Sequence, residues 1–259
     1  MNDPALLGRA LAQDIEARAP FRYLTEEEAP DLESAHAIQI ACAEALAASR
    51  GPLGGRKIAW NTEPQMQAFA MPEPGAGRVF ASQIRPSGAR LNCTDYATFA
   101  LEPEIAAVLK APLAPREGGH DPASVAEAIE TFRPAFEILD QRGFAPGPNA
   151  AFSALAADIF SEGLVLGGPG LTPQQITPAA LRSVVTQNGE TILDAEDAAP
   201  MHPLAAVAFL ANRFNRLGET LEAGEVLLLG AHLPPHRIQG AASLRFDCGA
   251  LGEVAFEIA

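Results

Sequence analysis

Apolar positions in the first 50 residues recur at helical spacing. Leu6, Leu7, Ala10 and Leu11 form one stripe, and the run DLESAHAIQIACAEALAASRG carries a second that stops near Gly51. Asp3 followed by Pro4 reads as an N-cap with proline in the first helical position. From GGRKIAWN onward the texture changes, and short apolar segments alternate with Pro and Gly as in a strand-rich chain. Asn188-Gly189 in SVVTQNGETIL predicts a hairpin with a type I′ turn. EVLLLGA and LGEVAFEI read as strands, while DPASVAEAIETF and PLAAVAFLANRFNRLG interrupt them as helices, the second with Gly218 as its stop signal. There is no internal repeat, flexible linker or glycine-rich loop of the GxGxxG or GxxxxGK type. The pattern predicts an α+β fold, with a helical N-terminal segment at 1–52 packed on one domain at 53–259, rather than a doubly wound parallel sheet.

Composition narrows the partners. With 259 residues and 48% hydrophobic content, the chain can bury a sizeable core. Its formal net charge of −14 opposes a nucleic-acid groove or an anionic membrane surface, which leaves a small molecule or another subunit. No apolar run approaches the roughly 20 residues that span a bilayer, and the N-terminus lacks a signal-peptide core, so a cytoplasmic location is expected. Cys42, Cys93 and Cys248 are odd in number and far apart, which predicts buried free thiols rather than disulfides or a thiolate zinc site.

Candidate chemistry lies in FALEPEIAAVL. In an extended segment Glu102 and Glu104 share one face, while Leu101, Ile105, Ala107 and Leu109 take the other. Two adjacent carboxylates suit either a solvated strand face or a hard divalent cation such as Mg²⁺, Mn²⁺ or Ca²⁺. Glu137, inside the apolar segment RPAFEILDQR, needs a partner for a buried charge. It completes a three-carboxylate metal site, or else it pairs with Arg133 or Arg142 in a structural salt bridge. Lys57 in GRKIAWN reads on its own as a surface lysine at a strand end. His202 looks like helix-start scaffolding, and His36, His120 and His236 show no metal-ligand spacing.

These segments carry a family resemblance over nearly the whole chain. ALEPEIAAVL followed by FRPAFEILDQR resembles the paired metal-binding segments of the 2-keto-4-pentenoate hydratase and 4-oxalocrotonate decarboxylase family, within the fumarylacetoacetate hydrolase superfamily. GGRKIAWNTEPQMQAFAMPEP, ADIFSEGLVLGG, HPLAAVAFLANRF, LEAGEVLLLGAHLPP and LGEVAFEI resemble further family segments in order and spacing. The resemblance implies a fumarylacetoacetase-like mixed β-sheet roll with flanking helices. It implies that Glu102, Glu104 and Glu137 ligate Mg²⁺ or Mn²⁺, that Lys57, Asp158 and Ser161 are catalytic, and that Lys57, Ser161 and His232 contact substrate. The substrate implied is a small 2-oxo acid or dienol from aromatic-compound degradation, hydrated by way of an enolate. A homo-oligomer is implied, with a pathway enzyme as a conceivable partner.

Departures from the family pattern are local. Pro74-Gly75-Ala76-Gly77 lacks the carboxylate that usually follows the proline; Glu73 is a possible substitute. Ile159 stands where Asn is usual, and Ala231 and His232 stand where a small hydroxyl residue is common; His232 is a candidate acid or base in its own right. Alternatives to hydration are decarboxylation of a 4-oxalocrotonate-like acid, acylpyruvate-type carbon–carbon hydrolysis, and a non-catalytic subunit that keeps the fold. Hydrolysis calls for a His or His-Glu base that the N-terminal region does not offer.

Overall fold

Aspartates open both N-terminal helices of the computed structural model, which describes residues 3–177 and 181–259. Helix α1 (Pro4–Glu16) begins where the Asp3 side chain accepts from the Ala5 N–H, and α2 (Leu32–Arg50) begins where Asp31 accepts from the Ser34 N–H. Gly51, at φ 77°, ends α2 in a conformation that a side chain would strain.

The remaining elements follow as β1 (Leu53–Ala59), α3 (Glu63–Ala68), β2 (Gly75–Phe80), β3 (Ile84–Pro86), β4 (Arg90–Leu91), β5 (Phe99–Leu109), α4 (Pro122–Ala128) and β6 (Ile129–Asp140). Then come α5 (Ala150–Ala156), β7 (Ser161–Leu166), β8 (Gly168–Pro169), β9 (Ser183–Gln187), β10 (Glu190–Ala195), α6 (Pro203–Arg216), β11 (Val226–Ala231), β12 (His236–Arg237), β13 (Ala242–Asp247) and β14 (Gly252–Ile258). Among the described residues, a mixed sheet runs β2-β1-β11-β5-β6-β7-β3 with β12 attached to β5, and a second runs β10-β9-β13-β14-β4 with β8 attached to β14. The architecture is α+β, as the alternation of apolar segments predicts.

The two faces of the larger sheet have different neighbours. Leu101, Ile105, Ala107 and Leu109 of β5, with Phe132, Phe136 and Ile138 of β6, enter the main core together with α6 and the second sheet. Phe136 meets Phe256 edge-on at 5.3 Å and Phe246 at 6.0 Å, which locks sheet to sheet. On the opposite face, Ala106, Ala135 and Leu228 pack with Val79, Leu164 and Val226. Beyond them, Ala100 and Leu139 join a cluster with α1, α2, α5, Trp60 and Phe160, so the N-terminal helices cover one end of that face.

Two local outcomes bear on the sequence reading. The Asn188-Gly189 turn has φ 52° and 83°, both left-handed as a type I′ turn requires, and joins Gln187 to Glu190. Helix α4 is shorter than DPASVAEAIETF suggests. It stops at Ala128 because Ile129 and Thr131 pair with Leu109 and Val108, so strand pairing outweighs a weak helical periodicity. Among the described residues no helix is long and apolar enough to cross a membrane.

Candidate metal centre and substrate cleft

Antiparallel pairing of β5 with β6 sets Glu102 directly opposite Glu137, and Glu104 opposite Ala135. Side chains on one face of neighbouring strands approach closely, so all three carboxylates converge. One oxygen from each lies within 4.8 Å of the others. Lys57, from β1 two strands from β5, reaches across to the same point: its Nζ stands 2.5 Å from Glu137 Oε1 and donates to the Ile159 carbonyl at 3.0 Å. Glu137 therefore pairs with Lys57 and with neither expected arginine. Arg133 is bonded to Thr131, and the Arg142 guanidinium lies over the Phe21 ring.

A bulge in β11 completes the arrangement. Leu228 pairs with Ala106 but Ala231 with Glu104, so one extra residue turns the Gly230 N–H toward Glu104 Oε2 at 2.7 Å. Gly230 sits at φ 111°, where a Cβ would also run into Asn61 and Pro200. Only glycine fits there.

The cluster carries more negative charge than its surroundings neutralise. Burial, then the Glu137 carboxylate, pushes Glu102 up to about 8 despite Lys57. Burial, followed by both neighbouring carboxylates, raises Glu104 well above the usual carboxylate range, with the Gly230 N–H opposing. Burial also raises Glu137, against the attraction of Lys57. Burial opposes the Lys57 charge, yet Glu137, Glu102 and Glu104 outweigh it and hold the ammonium above its ordinary value. One ammonium facing three carboxylates, and a buried Glu137 Oε2 with no hydrogen-bond partner, fit a divalent cation with oxygen ligands.

Above the carboxylates opens a cleft of about 330 Å³ with Lys57, Glu102 and Glu104 at its base. Its walls are largely apolar: Trp60 stacked on Phe69 at 4.8 Å, Phe144 against Phe160 at 4.8 Å, and Ile159, Leu139, Pro234 and Pro235. Asn61, Gln65 and Gln141 supply the uncharged polar groups.

Other expected site residues are more dispersed. Asp158 lies beside Lys57, and its Oδ1 accepts from the Arg78 N–H at 2.8 Å; burial raises its carboxyl against the pull of Arg78. Ser161 is not on the cleft wall. Its buried Oγ, without a hydrogen-bond partner, lies behind Phe160 in a small interior space beside Arg142 and Glu162. The structure does not bring His232 to the cleft either. Its ring is buried 2.6 Å from Ser183 Oγ and edge-on to Phe246, and burial pushes its pKa down to about 4; Ala231 lines the cleft instead. Glu73 points away to Arg216 and Arg213, at 2.8 and 3.4 Å, so it does not stand in for the acid missing at Gly75.

Gly75 and Ile159 are coupled in space. A Cβ at Gly75 would stand 3.0 Å from Ile159 Cδ1 and 3.0 Å from the Trp60 ring, so hydrocarbon fills the place of the missing side chain. Asp158, Ile159 and Phe160 have φ of 60°, 49° and 65°, a run of left-handed residues that β-branched isoleucine enters with strain. That turn aims the Ile159 carbonyl at Lys57. Sequence reasoning missed the aromatic walls, though the lone tryptophan three residues after Lys57 was a signal. It also missed a buried chain of polar groups behind β2. Gln39 donates to the Ala76 and Leu155 carbonyls, accepts from Arg78 at 2.6 Å, and lies 3.1 Å from His36 Nδ1, while His36 Nε2 accepts from Arg213.

No family model matches the sequence. The chain is 31% identical over 246 residues to the TodF product hydratase of Pseudomonas putida, covering 92% of this chain and 87% of that protein. It is 29% identical over 237 residues to a 2-keto-4-pentenoate hydratase of Paraburkholderia phymatum, covering 91% and 88%. Among solved structures, 4-oxalocrotonate decarboxylase from Pseudomonas putida G7, complexed with magnesium and adipate, superposes with a TM-score of 0.84 at 24% identity, covering 97% of each chain. By sequence the chain belongs to the 2-keto-4-pentenoate hydratase family, and its fold is the one seen in 4-oxalocrotonate decarboxylase.

Proposed function

We propose that the protein is a divalent-metal-dependent hydratase of a small 2-hydroxy-dienoate or 2-oxo-enoate, the kind of acid formed in aromatic-compound degradation. The observation that carries this reading is the convergence of Glu102, Glu104 and Glu137 with Lys57 at the base of an otherwise apolar cleft. Those three carboxylates would hold Mg²⁺ or Mn²⁺, which when bound supplies positive charge to the carboxylate and 2-oxo oxygens of the substrate.

The protein's own groups account for the rest. Lys57 holds a proton at Nζ beside the oxo end of the cleft, fixed by Glu137 and the Ile159 carbonyl, and is the proton carrier for the tautomeric step. With Gly75 lacking a carboxylate, Lys57, Glu102 and Glu104 are the titratable groups among the described lining residues. Asn61, Gln65 and Gln141 are placed to orient the water that adds to the double bond, and the aromatic walls limit entry of other water. Asp158 steadies β2, the strand paired with that of Lys57, through the Arg78 N–H.

The test is the ultraviolet decay of 2-hydroxypenta-2,4-dienoate with purified protein and Mg²⁺, repeated with a chelator. Chelator-sensitive decay to the 4-hydroxy-2-oxo product supports hydration. Release of carbon dioxide from 4-oxalocrotonate without hydration of the dienoate would assign the decarboxylase reaction instead. No turnover of either acid, with the cation demonstrably bound, would overturn the catalytic reading.

A further inference from the structure

The chemistry at the base of the cleft reads the oxo-acid head, and nothing there distinguishes one tail from another. The tail must meet the walls, and these are built from Trp60, Phe69, Phe144, Ile159 and Phe160. At about 330 Å³ the cleft reaches the lower end of the range that encloses drug-sized ligands, more than a five-carbon acid requires. The one lining ammonium, Lys57, is already held by Glu137 and the Ile159 carbonyl. Among the described residues the cleft lining includes no arginine, no histidine and no second lysine. Arg237 meets a lining side chain only from outside, donating to Gln141 Oε1 at 3.0 Å.

We propose that the cleft selects a 2-oxo acid with an uncharged hydrocarbon tail and excludes one that ends in a second carboxylate. This rests on the functional reading above and deepens it, since the solved relative that holds adipate is a dicarboxylate binder. A carboxylate moved from water into these walls loses its hydration and gains no counter-charge, whereas each methylene placed there gains contact. The Gly75, Ile159 and Trp60 packing works in the same direction, because it replaces a potential polar side chain with hydrocarbon.

The experiment compares 2-oxohexanoate with 2-oxoadipate, two six-carbon acids that differ only in a terminal methyl or carboxylate, with pyruvate as the shared head. All are titrated into the Mg²⁺-loaded protein by calorimetry, while the emission of Trp60, the chain's single tryptophan, is followed in parallel. We expect 2-oxohexanoate to bind at least about tenfold tighter than 2-oxoadipate. It should also exceed pyruvate by roughly fourfold for each methylene buried. Its saturation should change Trp60 emission. In Phe69→Arg, which sets a guanidinium on a half-buried wall position, the ratio of 2-oxohexanoate to 2-oxoadipate affinity should fall by about tenfold or more. Equal or tighter binding of 2-oxoadipate to the native protein overturns the tail assignment but leaves the functional reading intact, because pyruvate still binds. Silent Trp60 emission at saturating 2-oxohexanoate overturns the placement of the tail. Failure of all three acids to bind the Mg²⁺-loaded protein overturns the functional reading, and the tail assignment with it.

Discussion

Replacing Lys57 by methionine keeps the buried hydrocarbon stem and deletes the charge. In the metal-free protein Glu137 then stands beside Glu102 and Glu104 with no cation, and the contact of 2.5 Å between two side chains each 1% exposed is lost. Removing one partner of a buried ion pair commonly costs about 3–5 kcal/mol. Here protonation provides an escape, and its cost sets the ceiling. An ordinary carboxyl at 4.5 is protonated at pH 7 for about 3 kcal/mol, and Glu137 is already raised above 4.5 by burial. The loss should therefore be about 2–3 kcal/mol at pH 7, or roughly 4–12 °C in thermal midpoint for a chain of this size.

The pH dependence of that loss has a definite sign. A carboxyl whose folded pKa lies above its unfolded value favours the folded state at low pH and loses that contribution as pH rises through the folded value. Without Lys57 the Glu137 carboxyl rises further, so the deficit relative to wild type is small near pH 5 and largest at pH 8. Saturating Mg²⁺ supplies the missing charge and shrinks it. Urea unfolding in EDTA and in Mg²⁺ at pH 5, 7 and 8 measures all of this. A deficit of constant size across these pH values and indifferent to Mg²⁺ would refute the electrostatic account and leave packing as the cause.

Three further outcomes are expected. Glu104→Ala should abolish turnover and remove most of the thermal stabilisation given by Mg²⁺ while circular dichroism stays native, at a cost of about 1–2 kcal/mol for the unpaired Gly230 N–H; an undiminished Mg²⁺ shift would take Glu104 out of the metal site. Burial, then the neighbouring Arg213 charge, depresses His36 to about 4, below its usual 6.5, so its neutral form contributes about 3 kcal/mol at neutral pH that is lost as pH falls from about 6.5 toward 4; with Mg²⁺ present, the stability difference between wild type and His36→Gln should narrow over that interval, and a flat difference would contradict it. Gly75→Asp should destabilise by roughly 2–4 kcal/mol through collision with Ile159 and Trp60, and adding Ile159→Ala should recover part of that; equal urea midpoints for Gly75→Asp and wild type would show that the packing yields freely.

Much of the carboxylate cluster was legible because strand alternation is a local property: Glu102 and Glu104 separate from Leu101, Ile105, Ala107 and Leu109 by parity alone. The approach of Glu137 depends on the β5–β6 register, and the pairing with Lys57 on a contact between strands that are not neighbours. Neither distance has a local signature, which is why Arg133 and Arg142 looked like equal candidates. His232 was misplaced for a related reason: a bulge of one residue at Gly230 decides which side chains of LLGAH face the cleft. The aromatic walls come from four separate stretches, around Trp60, Phe69, Phe144 and Phe160, and only tertiary folding assembles them. The end of α4 at Ala128 was likewise set by a partner strand rather than by its own residues.

The alternation in β5 has a consequence for quality control in the cell. A slip of one residue in its pairing would turn Glu102 and Glu104 into the main core and send Leu101 and Ile105 to the opposite face. Site register and core register are the same quantity, so a chain that misassembles the carboxylate cluster in this way also unfolds its hydrophobic interior. Such a molecule would be cleared by proteases and chaperones as an unstable species rather than persist as a folded but inactive one. Folded protein of this kind therefore carries its own certificate of a correctly paired carboxylate cluster.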